Sequence, residues 1–403
     1  MNEINFSIYG DILTPLTNPD FLLKKFEDQQ NARVRIEPMR WEEAWPKLLD
    51  FALHGGGPHI SIIGAIWTSS LQSMNTLRPF SAQEITGLGG KDAFFSSTWE
   101  NALLSPANQS WAIPFNAYTY LLLYRRDLLE KAGVDESTAF ISSEAMLTTL
   151  EKLKQAGISS PIILPSGEPF LARINIVSSW IWGAGGDYIS KDGKKVLLNQ
   201  DQALSGLSDY FKLYRYLDPS DYGLTQTECQ RRFAAGRAAI LIAGSNSRDI
   251  LRAAVQQPVL QNLGVVALPG IPWIAGANIV IWREAQFSYH HEQLSLALTK
   301  YLTSTDSQVI CTEAMDTIPV KQEAFDLALP FQPVFKPAIR QSLETGRTYI
   351  PVPLWTRMMN QLRPSLDLIT SDFLENPDTD PLVIITKHLE PLSRRFGVLL
   401  SSL

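Results

Sequence analysis

Two hydrophobic periods alternate along the chain from its start. Ile4, Phe6 and Ile8 are spaced by polar residues, the period of a half-buried strand, and Tyr9-Gly10-Asp11 follows as the loop at its carboxyl end. Pro19 then opens a predicted helix that turns Phe21, Leu22 and Phe26 inward. Val34 and Ile36 give a second strand, and Trp41, Ala44, Trp45, Leu48, Leu49 and Ala52 fall on one stripe of a second helix. Gly55-Gly-Gly-Pro58 breaks the chain, after which the continuous apolar run Ile60-Ser-Ile-Ile63 predicts a third strand that ends at Gly64-Ala-Ile-Trp67. The order βαβαβ is that of a sheet with parallel strands and helices on both faces. Ligands in such sheets sit beyond the carboxyl ends of strands, where Tyr9, Trp41 and Trp67 all fall.

A new series begins in the stretch from Trp111 to Asp135. Pro114 biases Ile113 toward extended geometry, and the apolar and aromatic run Tyr118 to Tyr124 predicts a buried strand. Asp127 is expected to open a short helix with Leu128, Leu129 and Ala132 inward, closed by Gly133. Beyond it, Ser142 or Ser143 caps a helix bearing Met146, Leu147, Leu150 and Leu153 and stopped by Gly157. Ile162 to Leu164 and Ala239 to Ala243 read as strands, the latter ending at Gly244-Ser-Asn246, with a helix between them carrying Leu204, Leu207, Phe211 and Tyr214. Val265 to Leu268 leads back, Ile279-Val-Ile-Trp282 is a returning strand, and a helix with Leu294, Ala297, Leu298, Tyr301 and Leu302 follows. Periodicity alone thus predicts alternating α/β structure.

Bulk numbers agree with a two-domain globular protein and narrow its partners. At 403 residues, with 45% hydrophobic and 19% charged residues, the chain exceeds one ordinary core. A net charge of -6 and no run of Lys or Arg argue against nucleic acid, and no apolar run has transmembrane length. Cys229 and Cys311 lack metal-ligand or dithiol spacing, so both read as buried free thiols, and neither metal nor organic cofactor is expected. His290-His291 at the start of a helix reads as solvated surface. There is no GxSxG elbow, HExxH or Walker loop, and nothing selects a carboxylate pair for glycoside hydrolysis, so catalysis is not expected. Met1 runs directly into the first strand without an apolar leader, which reads as a mature domain, with a cytoplasmic protein or sensor domain as the alternative.

Several separated stretches resemble one family in order and spacing. These are the crossing around Trp111 to Asp135, Trp180-Ile-Trp-Gly-Ala-Gly-Gly-Asp187 with Asp192-Gly-Lys-Lys195, and Phe233-Ala-Ala-Gly-Arg-Ala-Ala-Ile-Leu-Ile-Ala-Gly244. Leu268-Pro-Gly with Gly276-Ala-Asn278, Tyr301-Leu-Thr-Ser304, Thr317-Ile-Pro-Val320 and Pro353-Leu-Trp355 complete the set. Together they resemble the extracellular solute-binding proteins of family 1, the maltodextrin-binding-like receptors of ABC importers. The resemblance implies a two-lobed periplasmic-binding-protein-like fold of type II. Each lobe would be a mixed sheet flanked by helices, lobe 1 from residues 1–114 and 275–318, lobe 2 from 115–274 and 319–403. It also implies a monomeric, extracytoplasmic receptor, periplasmic or lipid-anchored, that closes on a small neutral solute and passes it to a membrane permease. A mono- or oligosaccharide is the expected solute. A sensing module docked to a signalling partner, or a receptor for a non-sugar solute, stands as the alternative.

A sugar offers an apolar C–H face for an aromatic ring and a rim of hydroxyls for short polar groups. Five of the ten tryptophans, Trp41, Trp67, Trp182, Trp273 and Trp355, sit at element ends beside such breaks as Gly or Pro, whereas Trp45, Trp99, Trp111 and Trp282 fit core positions. Tyr9 joins the five as a candidate, with Asn116 and Tyr118 at the first crossing, Ser245 and Asn246 after a strand end, and Gly276 and Asn278 after the second crossing. Where many family members carry Pro-Trp after the glycine matching Gly244, this chain has Ser245-Asn246, which removes one stacking surface.

Overall fold

The computed structural model describes residues 2–9, 22–100, 102–104, 109–167, 171–246, 258–284, 287–328 and 333–401. The expected loop at Gly10-Asp11 and helix start at Pro19 and Phe21 lie outside the described residues. The strands, in chain order, are β1 (Asn2–Tyr9), β2 (Ala32–Met39), β3 (Ile60–Gly64), β4 (Leu77–Arg78), β5 (Leu103–Leu104), β6 (Gln109–Ser110) and β7 (Ile113–Arg125). They continue with β8 (Ile162–Ile163), β9 (Ile240–Gly244), β10 (Leu263–Ala267), β11 (Ile274–Trp282) and β12 (Ile318–Pro319). The chain folds as two compact units, unit 1 from residues 1–118, 274–330 and 351–356 and unit 2 from 119–273, 331–350 and 357–403.

In unit 1, β1 runs parallel to β2 from Asn2 opposite Ala32 to Tyr9 opposite Met39, and parallel to β3 at Phe6 opposite Ile60. β11 lies antiparallel on β3, with Ala277 opposite Gly64 and Ile281 opposite Ile60. β3 is buried at every position, because the sheet is covered on both faces. The helix Trp41–His54 lays Ala44 and Leu48 against Met39, Ile63, Trp67, Leu71, Val280 and Trp282. Burial of aliphatic side chains of this size contributes ~1.5–3 kcal/mol each. Residues 319–330 and 351–356, placed with lobe 2 by the resemblance, cluster with unit 1. The Val320 amide donates to Gln308 Oε1 (3.0 Å), and the Ser69 and Ser70 hydroxyls donate to the carbonyls of Val352 and Pro353.

Strand β7 passes from unit 1 into unit 2 after Tyr118. In unit 2 it pairs antiparallel with β9 (Tyr120 opposite Gly244) and with β10 (Leu263 opposite Arg125), and β8 lies parallel to β9. The following short helix begins one residue earlier than expected, at Arg126, with Arg125 as its N-cap. Asp127 sits inside the first turn and pairs with Arg125 (2.5 Å), and of the three expected inward residues only Leu129 is buried. Gly133 follows with φ 62°. Ser142 Oγ accepts from the Ala145 amide (3.1 Å) and caps the helix Ser143–Gln155, which buries Met146, Leu150 and Leu153 as the spacing predicts but leaves Leu147 half-buried and turns Thr149 inward. The helix Asp201–Lys212 instead turns Ala203, Gly206, Leu207, Tyr210 and Phe211 inward and leaves Leu204 half-buried. The reason is Gly206: a Cβ there would lie 2.4 Å from the Trp180 carbonyl, so the helix meets Leu171–Gly183 through its glycine face.

Cys229 and Cys311 are buried, unbridged thiols in units 2 and 1 respectively. Burial pushes the Cys311 thiol up to about 12, which keeps it protonated and inert. His291 departs from the surface reading given to its pair: its ring stands 4.2 Å from that of His59, and Phe287 packs 4.3 Å from His59.

Candidate functional site: an aromatic edge in unit 1 and a polar-aromatic cluster in unit 2

Three consecutive strand ends build the site in unit 1. Tyr9 ends β1, Trp41 follows β2 by one residue beyond Arg40, and Trp67 closes the single 3-10 turn Ala65–Trp67 after β3. Parallel pairing puts these ends along one edge of the sheet, and their rings meet there. Trp41 stacks on Trp67 with centroids 4.7 Å apart and planes at 25°. Tyr9 lies 4.7 Å from Trp41 and 5.8 Å from Trp67. Gly64 makes the stack possible, since a Cβ there would lie 3.1 Å from the Trp41 ring and 3.2 Å from that of Trp67. Trp45, read from the sequence as core, is half-buried one helical turn beyond Trp41 and faces Trp67 at 6.0 Å.

The polar members on this edge are held by the backbone. Ala277 is paired to Gly64 in the sheet, and its amide donates to Asn116 Oδ1 (2.8 Å). With its oxygen spent, half-buried Asn116 has its amide N–H groups left to offer a ligand. One sheet spacing of about 4.8 Å and one hydrogen bond separate it from the Gly64 backbone under the indoles. Gly276 is required beside it: a Cβ there would lie 1.9 Å from the Asn116 carbonyl. Asn278 is buried and donates to Thr68 Oγ1 (3.0 Å), so it fixes the turn carrying Trp67. Tyr118 is half-buried at the last position of unit 1, and Trp355 is 3% exposed in the segment tied down by Ser69 and Ser70.

The candidates in unit 2 form a second group. Trp182 donates its indole N–H to Asp187 (3.1 Å), and the Arg347 guanidinium covers its ring at 4.6 Å while pairing with Asp187 at 2.7 Å. Tyr349 packs 5.6 Å from Trp182 and 6.2 Å from Trp273, and its hydroxyl donates to Asn175 (2.7 Å). Trp273 is buried, its amide donating to Ser179 Oγ (3.2 Å) and its carbonyl accepting from Thr119 Oγ1 (2.9 Å). Ser245 is buried and exchanges hydrogen bonds with Thr119 at the strand end. Asn246 is exposed and accepts from Gln226 Nε2 (3.2 Å).

Asp187, Arg347 and Tyr349, which the sequence does not single out, pack with the candidates Trp182 and Trp273. Asp187 was legible only as the end of a glycine turn, and Arg347 and Tyr349 lie in a stretch without periodicity. Burial raises the phenol pKa of Tyr9, Tyr188 and Tyr349 above the ordinary value, so all three are neutral at any physiological pH. The candidate side chains Tyr9, Trp41, Trp67 and Asn116 on the unit 1 edge therefore carry no charge. They offer a flat apolar surface with amide donors beside it, a combination suited to a neutral hydroxylated ligand. Among the described residues no group of three or more His, Cys, Asp or Glu could hold a metal ion, and no helix is long and apolar enough to cross a membrane.

Solved structures of similar fold cover the whole chain. The sugar-binding protein MalE of Xanthomonas citri is 19% identical with a TM-score of 0.79, covering 100% of this chain and 98% of its own. An ABC transporter solute-binding protein of Thermotoga lettingae bound with alpha-D-tagatose is 18% identical, with a TM-score of 0.75 and coverage of 98% and 100%. One of Agrobacterium radiobacter in complex with ribitol is 17% identical, with a TM-score of 0.73 and coverage of 99% and 98%. At these identities the likeness establishes the fold. A Brucella abortus protein named only as a binding protein is 23% identical over 270 residues, 64% of this chain and 61% of the relative, so the match spans less than two thirds of that relative. The profile of the bacterial extracellular solute-binding proteins matches residues 22–336, well over half of the sequence, and the chain belongs to that family.

Proposed function

We propose that this protein is the extracytoplasmic solute receptor of an ABC-type importer, that it binds a small neutral carbohydrate or polyol, and that it delivers this solute to a membrane permease. The observation that carries the reading is the aromatic edge of unit 1, where half-buried Trp41 lies on Trp67 near the amide of Asn116. Ring stacking supplies affinity for the C–H face of a sugar, and the amide selects a hydroxyl oxygen. Structural relatives bound to tagatose and ribitol support the solute class. Family membership supports the importer partner and the extracytoplasmic address.

The test is a titration of monosaccharides, disaccharides and polyols followed by intrinsic tryptophan fluorescence. A bound sugar is expected to change the emission, and Trp41→Ala to weaken binding by ~1–3 kcal/mol, the scale of a lost stacking platform, with circular dichroism unchanged. Parent-like binding by Trp41→Ala would sink the assignment of the site. A panel without any binder would sink the solute class.

A further inference from the structure

We infer that Asn175 is a specificity-determining residue of unit 2, its side-chain amide donating to a hydroxyl oxygen of the solute. This rests on the proposed carbohydrate reading and adds a named donor to it. Asn175 belongs to the helix Leu171–Gly183, in which every residue from Arg173 to Trp182 is buried. It is itself 7% exposed. Its Oδ1 accepts from the Tyr349 hydroxyl (2.7 Å), and among the described residues none accepts from its two amide N–H groups. Buried amide donors are normally paired, because an unpaired one forfeits the water it had in the unfolded chain. The acceptor that completes Asn175 therefore comes from outside the protein.

The amide is held in that orientation. Burial keeps the Tyr349 phenol protonated at any physiological pH, so the phenol supplies the hydrogen and the Asn175 oxygen receives it. Tyr349 is braced in turn by Trp182 at 5.6 Å and by Ser178 Oγ, which lies 3.2 Å from its hydroxyl and 2.8 Å from that of Tyr188. The N–H groups are thus turned away from this hydroxyl cluster. Position agrees with the assignment. The helix follows β8, which runs parallel to β9, and ligands of open α/β sheets sit beyond the carboxyl ends of such strands. Asn175 lies in the second turn of the helix, on the face that also carries Ser179, the acceptor of the Trp273 amide, and Trp182. The same face thus supports both candidate indoles of unit 2.

Calorimetric titration of the intact chain with glucose, galactose, mannose, maltose, ribitol and xylitol identifies a binder, which is then titrated into variants. Asn175→Leu alone would strand the Tyr349 hydroxyl, so it is combined with Tyr349→Phe and compared with Tyr349→Phe by itself. The double variant is expected to bind at least about tenfold more weakly than the single one, the scale of one lost hydrogen bond to a ligand. Asn175→Asp, which keeps the oxygen for Tyr349 and lacks the N–H groups, should show the same loss and decides the matter if the double variant does not fold. Monodeoxy analogues of the binder separate reading from support. One analogue should lose about tenfold on the parent and less than about twofold on the Asn175 variant, since the hydroxyl removed is the one the amide reads. Equal affinity of Tyr349→Phe and the double variant, or deoxy losses that are the same with and without Asn175, overturn the inference while leaving the carbohydrate reading intact. A panel in which nothing binds overturns both.

Discussion

At the scale of single residues, burial decides which side chains are available for chemistry. His59 is 8% exposed at the start of β3's approach, its Nδ1 accepting from the Asn5 amide (2.9 Å). Burial first, and then the neighbouring His291, lower its pKa to about 4, against a weaker opposite pull from Glu3. The unfolded chain therefore binds a proton that the folded chain refuses between the ordinary histidine range and about pH 4. Stability from this group is complete above that range, falls as pH drops through it, and reaches its floor near pH 4. Allowing for solvent screening, the loss is ~1–2 kcal/mol. His59→Asn keeps an acceptor for the Asn5 amide and removes the titration. Urea unfolding at pH 7.5 and pH 4.5 should show a smaller acid loss in the variant than in the parent. Equal losses would mean that other groups carry the acid sensitivity.

The same scale separates the candidate residues. Asn278 and Ser245 are short and polar near strand ends, yet their side chains are committed to Thr68 and Thr119. Asn116 shares that chemistry but commits only its oxygen to Ala277. No property of the sequence distinguishes these cases, because what differs is the pairing register of β3, β7 and β11. Trp41 and Trp182 are likewise equivalent as letters. One retains a half-buried ring, and the other is covered by an arginine 165 positions away along the chain, a contact that periodicity cannot carry.

At the scale of elements, the strands and amphipathic helices were legible because each has its own period and stop signal. The run Ile60–Ile63, the Ser142 cap and the Gly133 stop are local statements, realised as β3, a capped helix and a left-handed glycine. The face of the helix Asp201–Lys212 was less legible, because Gly206 contributes to packing by having no side chain and hydropathy assigns it nothing. Connections through buried polar groups were invisible. Gln308 is 2% exposed on the helix Thr305–Met315 and joins three segments of unit 1. Its Nε2 donates to the carbonyls of Phe115 (2.7 Å) and Leu302 (3.3 Å), and its Oε1 accepts from the Val320 amide (3.0 Å). Gln308→Leu conserves approximate volume and strands those buried backbone groups, at a cost of ~2–4 kcal/mol. The urea midpoint should fall and the Val320 amide should lose protection in hydrogen exchange. An unchanged midpoint with full protection at Val320 would show that the backbone finds other partners.

At the scale of the whole molecule, the division into two units was readable only through the resemblance, since each unit is assembled from separated stretches. Hydrophobic period reports what a segment does and not which core it joins. The segment 351–356 illustrates this: the resemblance places it in lobe 2, yet two serine hydroxyls hold it to unit 1. Charge also acts at this scale. The chain carries a net charge of -6, so a charged solute would be attracted or repelled over a Debye length, and its affinity would follow ionic strength. The candidate side chains Trp41, Trp67 and Asn116 on the unit 1 edge are neutral, and burial holds the Tyr9 phenol protonated at every physiological pH. A neutral solute bound by ring stacking and an amide has no net charge for salt to screen. Kd for the bound sugar or polyol is therefore expected to change less than about twofold between 20 and 500 mM NaCl, and equally little between pH 6 and pH 9. Titrations at the two salt concentrations and at three pH values across that range check both statements. A tenfold weakening in high salt would assign the affinity to an ion pair and exclude a neutral solute. A loss of affinity between pH 8 and pH 9 would mean that a titrating group near the ordinary phenol range, and hence not Tyr9, contacts the ligand.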